Sequence, residues 1–255
     1  MEGRTYGQPC PIARGLDVVG ERWTLLIVRE LLLGPKRFKD LLTALPAMGT
    51  NRLSDRLKSL EQDGVIEKRA LPPPGEARVY ALTEDGERLR PLVICLAAWG
   101  INRPLDPRID PRSGRPATLA LVLCGLAPPE ITHGAHETYE FRIADTYFHM
   151  LIDDGEAIPR TGPAPLKADV TVECDLPTLL KLVSGQITPA RAHREGQARI
   201  HGPSTATRRA FKILSTKHLA GGLRVLPTQP RKQSTAAPPR SDPLALTPTH
   251  GGRKI

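Results

Sequence analysis

The chain has 255 residues, 40% hydrophobic and 25% charged, a globular composition that excludes a fully disordered polypeptide. It carries 36 Lys+Arg against 27 Asp+Glu, a formal net charge of +9; residues 1–100 and 101–221 hold +2 each and residues 222–255 hold +5, so the excess does not by itself describe a folded basic surface. The longest uncharged apolar run, residues 118–126, is far shorter than the roughly 20 residues of a membrane-spanning helix, the N-terminus has no apolar signal core, and Cys10, Cys95, Cys124 and Cys174 lack the spacing of a disulfide framework or zinc site. A cytoplasmic, soluble, reduced protein without membrane insertion is expected, with no cofactor and no metal.

In chain order, Ile12, Leu16 and Val19 repeat at helical spacing and Gly20 stops that helix. Residues 23–33 are apolar on most faces, which predicts a buried central helix ended by Gly34 and Pro35. Phe38, Leu41, Leu42 and Leu45 mark a short third helix closed by Pro46, and Leu53, Leu57 and Leu60 a fourth ended near Asp63 and Gly64. Residues 65–71 and 78–82 flank Pro72, Pro73, Pro74 and Gly75, predicting a β-hairpin with a stiff, exposed loop. Thr83 caps a fifth helix carrying Leu89, Leu92, Val93, Leu96 and Trp99, in which Pro91 is tolerated only if the helix kinks or starts late.

Residues 101–116 hold four prolines among Asp and Arg with no helical or strand period, which predicts a linker or an extended arm. Beyond it, a helical run at 119–126 precedes period-two segments around Tyr139, Phe141 and Ile143, around Phe148, Met150 and Ile152, and around Val170 and Val172. Leu176, Leu179, Leu180 and Val183 form an amphipathic helix stopped by Gly185; a short strand at 199–202 and a last helix at 205–214 follow. The expected fold class is α+β: a winged helix-turn-helix domain over 6–100, a Pro-rich linker at 101–116, and an α+β domain with a mostly antiparallel sheet over 117–220. Residues 227–255, proline-rich and poor in large apolar residues, are expected to be a disordered basic tail.

Three helices followed by strand, loop and strand are the winged helix-turn-helix order. A recognition helix needs one apolar face for its own core and an opposite face of short polar and guanidinium side chains that reach base edges. In the fourth helix Leu53 and Leu57 point inward, leaving Thr50, Asn51, Arg52, Ser54, Arg56 and Lys58 for the outer surface. Asn pairs with adenine and Arg with guanine, whereas Asp55 repels phosphate, so not every polar position faces DNA. Arg69 and Arg78 flank the wing loop where they can hold phosphates or enter a minor groove, and Arg37 completes the set of expected DNA contacts.

The run CPIARGLDVVGERWTLLIVRELLLGPKRFKDLLTALPAMGTNRLSDRLKSLEQDGVIEKR, followed by VYALTEDGERL and AAWG, resembles the HxlR-type bacterial transcription regulators over residues 6–100. The resemblance implies binding of double-stranded operator DNA by a homodimer whose interface is made by the first and last helices of the domain, here residues 10–19 and 89–99. It also implies a role for Cys10, which matches a cysteine that senses electrophiles or oxidants in some members. The family's capping serine stands here as Gly49, so Thr50 is expected to take the capping role. Residues 117–215, with ADVTVECDLPTLLKLVSGQITPARAHREGQARIHGPSTATRRAF, are similar to the sterol-carrier-like (SCP2) module, which implies an apolar pocket and hence a small apolar ligand. Alternating aromatic strands and the apolar helix would equally serve a filled core.

Cys10 lies before Pro11 at a helix start, where the helix dipole favours thiolate; Cys95, Cys124 and Cys174 sit in apolar patterns and read as inert core. His133 and His136 have no third ligand of clear spacing and read as a surface loop. No nucleophile–base order, carboxylate pair or phosphate-cradling loop stands out, so the chain does not read as an enzyme. A dimeric regulator modulated by an apolar molecule is the leading reading, with the 101–116 segment as the expected mechanical link. An apolar-ligand carrier using its winged helix only to dimerise, and a thiol redox switch acting through Cys10, remain the alternatives.

Overall fold

The computed structural model describes residues 5–70, 78–110 and 113–221. The first part runs α1 (Pro11–Val19), α2 (Thr24–Leu32), α3 (Phe38–Ala44) and α4 (Thr50–Gln62), then strands β1 (Ile66–Ala70) and β2 (Arg78–Leu82), then α5 (Glu84–Glu87) and α6 (Arg90–Gly100). The stop signals act as expected: the Gly20 N–H donates to the Leu16 carbonyl at the end of α1, and Gly64, at φ +70°, turns the chain from α4 into β1. Helix α2 is the core of this part, with Ile27, Val28, Leu31 and Leu32 at most 2% exposed. Leu53, Leu57 and Leu60 of α4 are buried at its inner face. Strands β1 and β2 pair antiparallel from Ile66 opposite Leu82 to Ala70 opposite Arg78. The proline loop between them lies outside the described residues.

The structure departs from expectation at two helix starts. The fifth helix is two: Thr83 Oγ1 accepts the Gly86 N–H at 3.1 Å and caps α5, which ends at Glu87, and α6 begins at Arg90 with Pro91 in its first turn, where a missing N–H costs no helical bond. Thr50 does not cap α4. The N-cap is Gly49, in extended conformation at φ −70°, ψ 154°, and no side chain caps this end. Thr50 is already the first helical residue, so its hydroxyl lies past the position from which a side chain reaches the free N–H groups.

Gly86 is fixed by packing. A Cβ added there would sit 2.1 Å from the Val65 carbonyl oxygen, a backbone atom that cannot swing aside. Gly86→Ala is therefore expected to destabilise the winged helix by about 1–3 kcal/mol, the range of overpacked cores. Denaturant unfolding measures this; an unchanged midpoint would mean that the β1–α5 junction is looser than the packing requires.

The second part opens with α7 (Pro116–Leu126) and continues with β3 (His136–Ile143), β4 (Thr146–Asp153), β5 (Glu156–Thr161), β6 (Val170–Cys174), α8 (Leu176–Ser184), α9 (Pro189–Arg194), β7 (Ala198–His201) and α10 (Ser204–Ile213). Its strands lie in the order β5-β4-β3-β6-β7; β3 and β6 run parallel and the other neighbours antiparallel. Strand β5 has no clear period in the sequence, and Pro159 argues against a strand. It forms because β5 is an edge strand, where a residue without an N–H need not complete a second ladder. Tyr139, Phe141, Phe148 and Met150 are at most 1% exposed, and the Phe141 and Phe148 rings stack at 4.6 Å with the Phe211 ring edge-on at 6.2 Å from Phe141. This is a filled core along β3 and β4. Asp175 caps α8 by accepting the Thr178 N–H at 2.8 Å, and Gly185, at φ +76°, ends it.

Between α6 and α7, the described residues of 101–115 form turns and irregular backbone, with Leu105 and Ile109 exposed, and the last residue of the expected linker, Pro116, already opens α7. This segment is not the sole connection between the two parts. A Cβ on Gly125 of α7 would lie 2.7 Å from Ile94 Cδ1 of α6, so these helices pack closely. Arg115 Nη1 reaches the buried Glu30 carboxylate at 2.5 Å, and the Thr161 N–H donates to the Leu33 carbonyl at 2.9 Å. The tail at 227–255 lies outside the described residues. No helix among the described residues is long and apolar enough to cross a membrane.

Candidate nucleic-acid interface

Helix α4 presents its polar side outward because Leu53, Leu57 and Leu60 take the inner face at three- and four-residue spacing. Thr50, Asn51, Arg52, Ser54 and Lys58 are all exposed. Thr50, Asn51 and Arg52 line one concavity with Ala47 and Gly49 at the start of the helix. Ser54 and Lys58 line a second, between α4 and the hairpin, with Glu61, Gln62, Lys68 and Tyr80. Neither concavity belongs to the second module. The expected set is thus divided between the helix's first turn and the groove facing the wing.

Arg56 departs from the exposed set. It is half-buried and pairs with Glu21 at 3.4 Å, which ties α4 back to the α1–α2 turn. Arg69 is exposed and held by Glu67, two residues earlier on the same strand, and Arg78 is exposed at the first position of β2. Arg37 is exposed just before α3, its N–H donating to Asp40 Oδ2 at 2.9 Å. Sequence reading missed Lys68 and Tyr80. The Lys68 ammonium pairs with Glu61 at 2.7 Å, which raises its pKa, and lies 5.7 Å above the Tyr80 ring. Alternation along the hairpin could have placed both on the face toward α4.

Cys10 is exposed at the N-cap of α1, and the backbone N–H groups of Ala13 and Ile12 lower its pKa by stabilising the thiolate. Burial pushes the Cys124 and Cys174 thiols up to about 12. Alkylation in native buffer near pH 7 is accordingly expected to label Cys10 first, with Cys124 and Cys174 reacting only as the chain unfolds. Mass mapping of the adducts checks this, and rapid labelling of Cys124 in the folded protein would contradict it. His133 and His136 each pair with an aspartate, Asp154 at 3.1 Å and Asp153 at 2.7 Å, and no metal-holding cluster occurs among the described residues.

Residues 18–105 match the HxlR-like helix-turn-helix family and residues 125–215 the SCP-2 sterol transfer family. The HTH-type transcriptional regulator YodB of Bacillus subtilis is 36% identical over 91 residues, 35% of this chain and 81% of that protein. YvaP of the same organism, an uncharacterized HTH-type transcriptional regulator, is 36% identical over 99 residues, 38% of this chain and 91% of that one. A crystal structure of quinone-bound YodB is 34% identical, covering 37% of this chain and 99% of that one with a TM-score of 0.32. The fold and the exposed polar face of α4 define a winged helix-turn-helix transcription regulator. The chain belongs to the HxlR-like helix-turn-helix family, and it carries a C-terminal SCP2 domain beside the DNA-binding one.

Proposed function

We propose that the chain regulates transcription in the cytoplasm as a homodimer, reading operator DNA with Thr50, Asn51, Arg52, Ser54 and Lys58 of α4 while Arg37, Arg69 and Arg78 contact phosphates, and that it has no catalytic role. The observation that carries this is the exposed row of Asn51, Arg52, Ser54 and Lys58 beside a two-stranded hairpin, the surface a major groove requires. Arg56 joins the set by releasing Glu21 or by reaching a flanking phosphate. Dimerisation is supported by the apolar side chains that α1 and α6 leave exposed: Ile12, Leu16, Leu92, Leu96 and Trp99. The working domains in this reading are 6–100 and 117–220, joined through 101–116. Nuclease footprinting tests it: a discrete protected stretch supports a regulator, and uniform or absent protection supports a carrier.

The input we propose is an apolar small molecule taken up by the SCP2 domain, supported by the family match over residues 125–215. Phe141, Phe148, Met150 and their neighbours fill the interior, so uptake requires these side chains to move apart. Native mass spectrometry of the purified full chain, followed by titration of any co-purified lipid against DNA binding, tests this input. A second reading, thiol sensing through Cys10, is favoured by its exposure and lowered pKa.

A further inference from the structure

We propose that the C-terminal domain is a built-in part of the DNA-binding unit, its edge strand β5 positioning the wing through Lys36. Lys36 lies in the turn between α2 and α3 and is only 7% exposed, so it is not itself a DNA contact. Its Nζ donates to Thr161 Oγ1, at the end of β5, at 3.0 Å. Its backbone faces the other way: the Lys36 N–H donates to the Tyr80 carbonyl at 3.0 Å, and the Tyr80 N–H donates to the Lys36 carbonyl at 2.8 Å. One residue thus ties the edge of the second sheet to the middle of the wing strand β2.

The surroundings of Lys36 hold both ends of that tie. The Thr161 N–H donates to the Leu33 carbonyl at 2.9 Å and the Arg160 guanidinium to the Leu32 carbonyl at 2.6 Å. These are carbonyls at the C-terminal end of α2, which a helix end leaves unpaired unless another group supplies a donor. Glu30, wholly buried on α2, accepts from Arg29 at 2.7 Å and from Arg115 at 2.5 Å, so the residue preceding α7 provides one of its two cations. The charges acting on Lys36 are Glu30 and Asp40, which hold its proton, and Arg115 and Arg160, which oppose it; burial outweighs them and lowers its pKa. On the far side, Tyr80 carries the Lys68 ammonium over its ring, and Lys68 pairs with Glu61 of α4. A shift of Tyr80 therefore changes the groove between α4 and the wing. Lys36 is a positioning residue, acting through Tyr80.

The inference rests on the DNA-binding reading only for its consequence, and the tie itself can be measured without DNA. The Tyr80 amide, bonded to the Lys36 carbonyl, is the direct reporter. In the full chain, Thr161→Val and Lys36→Met should each speed its hydrogen exchange about three- to tenfold, the loss of one hydrogen bond. Thr161 is exposed, so the methyl added by Thr161→Val meets solvent and does not crowd a packed core. The double variant should be no faster than Lys36→Met alone, and Thr161→Ser, which keeps the hydroxyl, should restore the wild-type rate. Affinity for a duplex that the wild-type protein recovers from a random pool should follow the same order. Exchange at Tyr80 that is unchanged in Thr161→Val, or additive in the double variant, overturns the proposal. Faster exchange with unchanged duplex affinity would uphold the tie and count against the wing's part in DNA reading.

Discussion

Leu96→Glu is expected to give a folded monomer whose affinity for operator DNA falls by about 10²–10⁴-fold, the factor lost when two linked binding modules act singly. Leu96 is 46% exposed on α6, with Leu92 beside it at 45%, so a carboxylate there meets water in the monomer and is not forced into its core. In a dimer joined through α1 and α6 the same position would be desolvated, and two-fold symmetry would bring both charges into one interface. Light scattering across the concentrations at which DNA binds checks the result. A wild-type monomer in that range, or a Leu96→Glu dimer with undiminished affinity, would contradict dimerisation through these helices.

Arg52→Ala is expected to cost about 1–3 kcal/mol on the operator, roughly 5- to 150-fold, and to relax discrimination at one or two base pairs. Arg52 is exposed in the first turn of α4 and has no carboxylate partner among the described residues, unlike Arg56 with Glu21 and Arg69 with Glu67. Its guanidinium is therefore placed for a bidentate contact to guanine without first breaking one of those ion pairs. Lys58→Ala should weaken binding to all sequences alike and reduce the salt slope by about one. Competition binding against single-base operator variants separates the two effects. An Arg52→Ala protein with wild-type affinity and selectivity would remove Arg52 from the reading face.

Much of the winged helix was legible in the sequence because its signals are local. Leu53, Leu57 and Leu60 repeat within four residues, Gly20 and Gly64 stop helices where they stand, and Thr83 reads as a cap three residues before the amide it accepts. Edge strand β5 escaped because Pro159 breaks the pattern that marks a strand, and only its outer place in the sheet makes that proline tolerable. The partners of Glu30 and Lys36 escaped for a different reason. Glu30 reads as one polar residue in an apolar helix, while Arg115 is 85 residues further on and Thr161 lies 125 residues beyond Lys36. Such pairings arise from tertiary packing and leave no periodic trace. The same holds for Arg56: the helical repeat placed it on the outer face, but its half-burial against Glu21 left no trace in the sequence.

We expect this chain to read a specific duplex as a symmetric pair of winged helices. Sequencing the duplexes that the purified full chain retains from a random pool decides this. Two related half-sites in inverted orientation should be enriched, with centres about one helical turn or a multiple of it apart. Retention without any enriched sequence, at an affinity set by salt alone, would contradict it.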